Sequence, residues 1–152
     1  MRLPKYPLVA EDSLRVFEFI SEGPKGKIPK IIKFSATNLK DLFNLAFGDK
    51  DSKTGEINDT VISNNGDSEK VLASVVSALY AFTDRFPDAY VYATGSTKAR
   101  TRLYRIGITN NLIEIRKDFN IYGMLNDNWE YFQKETDYEA FLVQRKNANF
   151  VL

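Results

Sequence analysis

The sequence predicts an α+β fold: one domain over residues 1–152, in which a mainly antiparallel sheet of about six to seven strands carries two main helices. Three observations lead there. Short runs of alternating apolar and polar residues, bounded by turn residues, fill the chain before Asn64 and return after Phe119. Between them, Val71, Val75, Leu79, Phe82 and Phe86 recur at helical spacing. No repeat, low-complexity stretch or linker divides the 152 residues. A chain of that length buries roughly 70% of the surface it exposes when unfolded, enough for its own core.

Residues 1–12 read as an irregular lead-in with two prolines, Pro4 and Pro7. Arg15 to Ser21 alternates as a strand with Phe17 and Phe19 on one face, and Gly23-Pro24-Lys25-Gly26 turns the chain. Lys27 to Ser35 returns, with Ile28, Ile32 and Phe34 in phase and Lys30 breaking the pattern. Pro29 has no N–H for a ladder, which predicts a free edge at that point. Leu42 to Gly48 is a third strand, and Glu56 to Ser63 a polar fourth. Asp67 or Ser68 caps the first helix, whose wide apolar stripe predicts deep burial, and Pro87 ends it. Asp88 to Thr94 is β-rich, with Tyr90 and Tyr92 on one face. A basic helix starts at Thr97 and either continues past Asn110-Asn111 or gives way to another near Thr109. Asn120 to Leu125, Trp129 to Gln133 and Tyr138 to Gln144 read as strands.

Composition narrows the chemistry. There is no cysteine and no histidine, so disulfides, thiolate nucleophiles, Cys or His zinc sites and His-based triads are all absent. Any hydrolysis would rest on carboxylates, Lys, Tyr or a carboxylate-held magnesium. Net charge is +1, so attraction for an anion must come from local clustering. The first residues lack the apolar run of a signal peptide, and no stretch approaches the roughly 20 apolar residues of a membrane span. The expectation is a cytoplasmic protein with no membrane partner.

The segment Gly95 to Arg105 is the leading site candidate. A helix N-terminus offers unpaired N–H groups and partial positive charge. Here it is joined by the Ser96 and Thr97 hydroxyls and by Lys98, Arg100, Arg102 and Arg105, with no acid among them. At 100° per residue, Lys98, Arg102 and Arg105 share one face, Ala99, Leu103 and Ile106 lie opposite, and Arg100 and Tyr104 sit on the border. Gly95, Ser96, Thr97, Lys98, Arg100, Arg102, Tyr104 and Arg105 together form a candidate cradle for a phosphate or similar anion. An N-capped helix with a solvated basic side accounts for the same residues equally well. Pairing with the acidic segment Asn126 to Ala140 is a further internal explanation.

Three other sets have weaker claims. Lys25, Lys27 and Lys30 form a basic hairpin that could follow a phosphate backbone, with Phe17 and Phe19 as stacking platforms; solubilising lysines over core phenylalanines is the plainer account. Asp49, Asp51, Glu56 and Asp59 could gather around magnesium, but they fail the calcium-loop spacing and read better as a polar turn. Trp129, with Tyr131 and Phe132, could stack on a partner or pack in the core. No metal and no cofactor is expected.

Four segments, Ser21-Glu22-Gly23-Pro24-Lys25-Gly26-Lys27, Asn44-Leu45-Ala46-Phe47-Gly48-Asp49, Ser63-Asn64-Asn65-Gly66-Asp67 and Gly95-Ser96-Thr97 through Arg100-Thr101-Arg102-Leu103-Tyr104-Arg105, resemble a family of small bacterial proteins of unknown function. The resemblance covers nearly the whole chain. It implies a small single-domain cytoplasmic protein and assigns no activity, cofactor or catalytic residue. The expected function is a non-enzymatic module that binds a phosphate-bearing ligand, nucleic acid foremost, through residues 95–105. One alternative is a small ribonuclease-type toxin of a toxin–antitoxin pair, with Arg100 or Arg102 stabilising phosphorane charge and Tyr104 or a carboxylate moving a proton. Another is a protein–protein adaptor using the edge near Pro29 or the Trp129 region.

Overall fold

The computed structural model describes residues 3–58 and 63–146. Their elements run β1 (Val9–Ala10), β2 (Val16–Gly23), β3 (Gly26–Ala36), β4 (Leu42–Lys50), β5 (Ile57–Asn58), α1 (Ser68–Arg85), β6 (Tyr90–Ala93), α2 (Lys98–Asn110), α3 (Leu112–Asp118), β7 (Phe119–Leu125), β8 (Asn128–Tyr131) and β9 (Ala140–Arg145). One nine-stranded sheet has the order β1-β2-β3-β4-β6-β9-β7-β8, with β5 added to β4. Every pairing is antiparallel except β4 with β6, which α1 connects. The α+β class is as expected; the sheet is larger, and a third helix follows Asn111.

The helices cover one sheet face. Phe17 and Phe19 of β2, Ile32 and Phe34 of β3, Phe43 and Leu45 of β4, and Phe141 and Val143 of β9 point into this layer and are buried. From α1, Val71, Leu72, Val75, Leu79 and Phe82 meet them. Phe82 stacks on Phe34 at 4.2 Å between ring centroids and takes the edge of Phe43 at 5.0 Å. Such ring pairs add ~0.5–1.5 kcal/mol beyond the area they bury. With Phe17 and Phe19 inside this core, neither serves as a stacking platform.

Several local expectations change. The lead-in contributes β1 and the buried Tyr6, whose N–H donates to Ser74 Oγ at 2.8 Å. β3 is an interior strand of a sheet whose outermost strands are β1 and β8. It is still free on one side at Pro29, as expected, because the β4 ladder ends at Lys30↔Asp49, one residue short of it, and the missing N–H costs nothing there. Lys30 does not break the strand's phase; it points into the helix layer with Ile32 and Phe34. The polar fourth strand is short, β5, and residues 59–62 of that prediction lie outside the described residues. Asp67 occupies the N-cap position of α1 without a side-chain cap bond, because its carboxylate receives the Tyr6 and Ser21 hydroxyls, each at 2.5 Å.

Gly107 lies inside α2 and faces Leu72 of α1 beside an apolar cavity of about 50 Å³. A Cβ there would sit 3.5 Å from Leu72 Cβ, an ordinary contact. Gly107→Ala should therefore raise stability by ~1 kcal/mol, the usual gain in a helix interior. A urea midpoint below the parent's would show that the α1–α2 seam cannot take the methyl.

Candidate functional site

Helix α2 starts where the sequence places it. Thr97 is its N-cap, and its Oγ1 accepts the Arg100 N–H at 3.2 Å. Thr101 Oγ1 accepts the Gly95 N–H at 3.0 Å and donates to the Thr97 carbonyl at 3.1 Å. A Cβ on Gly95 would fall 2.4 Å from Arg100 Cβ, so only glycine lets the turn fold onto the helix. The Thr97 hydroxyl and the Gly95 N–H, both assigned to an anion by the sequence, are thus spent on the turn itself.

The most deeply buried residues of α2 are Arg100, Tyr104 and Gly107; Leu103 and Ile106 are half-buried against the core, as expected, and Ala99 is exposed. Along one edge β4 pairs with β6 from Leu42 to Leu45 and with β5 at Asp49 and Lys50. Phe47 falls between these ladders, and Arg100 reaches it. Its Nη1 donates to the Phe47 carbonyl at 2.9 Å and its Nη2 to the Asn58 carbonyl at 3.2 Å. The guanidinium therefore ties β4 to β5 where strand pairing lapses, and its several donors make its burial affordable. Tyr104 packs edge-on against Phe47 at 5.5 Å, with its hydroxyl 3.5 Å from the Leu45 carbonyl. Burial pushes its phenol up to about 12. Both residues set for fine ligand contact instead seat the helix on the sheet.

Between α1, α2 and the inner face of the sheet lies a cavity of about 170 Å³ lined by Lys30, Asp49, Ser63, Asp67, Arg100 and Leu103. Lys30 Nζ pairs with Asp49 and donates to Ser63 Oγ at 2.7 Å, and Ser63 donates to Asp49 at 2.9 Å. The proton of Ser63 is directed at a carboxylate and its lone pair at an ammonium, which is a clamp more than a nucleophile. Close by, Asn65 accepts the Lys25 N–H at 2.7 Å and donates to Ser21 Oγ at 3.1 Å and to the Gly26 carbonyl at 2.9 Å. All four segments that carry the family resemblance therefore meet around the start of α1. Sequence reading missed this gathering. Its one signal was a lysine in phase with Ile28, Ile32 and Phe34.

On the other flank of α2 is an open groove of about 880 Å³, running under Lys98, Arg102 and Arg105 to Asn126, Asp137 and Glu139. Lys98 and Arg102 are exposed. Arg105 pairs with Asp137 at 2.8 Å, the one ion pair joining the basic and acidic segments among the described residues. Ser96 is exposed at the groove's mouth. The lysine hairpin does not reach the groove. Lys25 and Lys27 are exposed on the β2–β3 turn, Lys27 lies 3.8 Å from Glu22, and Lys30 is buried.

The acidic set does not converge. Asp49 holds Lys30, Asp51 accepts the Lys53 and Thr54 N–H groups, Glu56 meets Lys33, and Asp59 lies outside the described residues. Among the described residues no three carboxylates are placed to hold a metal ion, and no helix is long and apolar enough to cross a membrane. Trp129 and Tyr131 stand on the open face of the sheet, while Phe132 is in the core.

The fold and the site define a compact α+β protein with one polar cavity and one cation-lined groove on either side of α2. Over residues 2–146 the chain matches the family of unknown function DUF6934, and it belongs to that family. No curated protein and no solved structure matches it.

Proposed function

We propose that this protein is a binding module for a phosphate-bearing ligand, nucleic acid first among them, which it holds through the exposed side of α2. The reading rests on one observation. Lys98, Arg102 and Arg105 line the same open groove, and α2 contains no acid. Lys98 stands in the first turn, where the helix dipole disfavours a cation, and clustered like charges add to the cost. An anion in the groove would relieve both. Among the described residues no carboxylate lies within ion-pair distance of Lys98 or Arg102. Of the residues the nuclease alternative names, Arg100 and Tyr104 are buried with their polar ends on backbone carbonyls, which leaves it only Arg102 and a carboxylate.

Binding of a labelled oligonucleotide, followed by anisotropy across a salt series, tests the reading. Affinity should fall steeply with salt. The double variant Lys98→Ala/Arg102→Ala should bind about tenfold or more weakly and lower the salt slope by about 2, with an unchanged urea midpoint. Equal binding by parent and double variant at every salt would sink it.

A further inference from the structure

The face of the sheet away from the helices is aromatic and uncharged where β4, β6, β9, β7 and β8 adjoin. The registers put Asn44, Tyr92, Leu142, Tyr122 and Tyr131 in one unbroken row across these five strands. The flanking rows add Tyr90 and Trp129, amides at Asn120 and Gln144, and no charged side chain. Tyr131 keeps 69% of its surface exposed, Trp129 42% and Tyr90 39%, and among the described residues no element packs over them. Tyr122 and Tyr131 stack at 5.1 Å, and Tyr92 meets Trp129 edge-on at 6.2 Å. The outermost ring, Tyr131, is on the edge strand β8.

This face shares one end of the sheet with the groove under α2. Trp129 pairs with Met124, and Met124 with Ala140. The next residues along those strands, Leu125 and Glu139, line the groove. One residue of strand is ~3.3 Å, so the Leu125–Glu139 wall of the groove and the ring of Trp129 lie at the same end of the sheet, on its two faces.

We infer that the ligand is single-stranded nucleic acid, its phosphates held by Lys98 and Arg102 and its bases stacked on the Tyr92–Tyr122–Tyr131–Trp129 face. This rests on the reading of α2 as the phosphate site. Stacking needs ring faces without charge, and phosphates need cations; the molecule offers rings on one face of this sheet end and, across the groove that opens from it, the cations of α2, with Asp137 and Glu139 also lining that groove. A duplex keeps its base faces stacked inside and cannot use the rings. A neutral saccharide could use rings and amides but has no call on the cations.

The protein has one tryptophan, so emission at Trp129 reports on this face directly. The probes are a single-stranded 12-mer, its duplex and a neutral maltose oligomer. The single strand should quench Trp129 and bind about tenfold more tightly than the duplex at equal salt. Tyr131→Ala, at an exposed edge position, should weaken the single strand about fivefold or more and leave the duplex unchanged. The inference fails, and the phosphate site stands, if both nucleic acids bind alike with no change in emission, or if Tyr131→Ala costs nothing while Lys98→Ala/Arg102→Ala still does. Binding by neither nucleic acid overturns both readings. Quenching by the saccharide alone gives the face a different occupant and overturns this one.

Discussion

Arg100→Ala should cost about 3–5 kcal/mol of stability, a large share of what holds a domain of this size together. The substitution removes charge-assisted bonds to the Phe47 and Asn58 carbonyls and leaves the buried Phe47 oxygen without its donor. It also empties the space the guanidinium fills under α2. Arg100→Lys should recover only part of the loss, since one ammonium cannot span two carbonyls on different strands as a planar fork does. Guanidinium denaturation measures both variants. A parent-like midpoint for Arg100→Ala would mean that water reaches Phe47 and that β4 and β5 hold together without the bridge. Arg100 is therefore the wrong residue with which to probe binding, although its place in the motif invites that use.

The second large effect is at the Lys30–Asp49 pair. Their side chains are 7% and 18% exposed, so removing either partner strands the other in a poorly hydrated site. Asp49→Ala should destabilise by about 3 kcal/mol or more. Replacing both together, Lys30→Met with Asp49→Leu, should return stability to within about 1 kcal/mol of the parent, because apolar groups of similar volume need no compensation there. If the double variant were as unstable as the single one, the pair's bonds to Ser63 would be holding the start of α1 in a way that packing cannot replace.

Much of the fold was legible because periodicity records which face is buried. Phe17 with Phe19, the Val71 to Phe86 stripe, and Thr97 as a cap each followed from spacing alone. What spacing could not show was polar burial. A helical wheel puts Arg100 only on the border of the basic face, and hydropathy gives no reason to bury it, yet an arginine aimed at backbone carbonyls is stable inside. The same rule made Lys30 an interruption, when its register partner Asp49 sits 19 residues away and invisible to a local window. The rings divide in the same way. Phe17 and Phe19 are core, the plainer of the two accounts their spacing allowed, while the exposed aromatic face needed strands from distant parts of the chain to become one surface.

The order of strands also bears on how the chain is made. β9 lies between β6 and β7, although it is the last described strand to be synthesised. Until residues 140–145 emerge from the ribosome, β6 and β7 each present a bare hydrogen-bonding edge to the surroundings. Helix α1 and the β2–β3–β4 meander can form earlier from local contacts. For that interval the nascent chain is a half-sheet open to mispairing, and Ala140–Arg145 closes it.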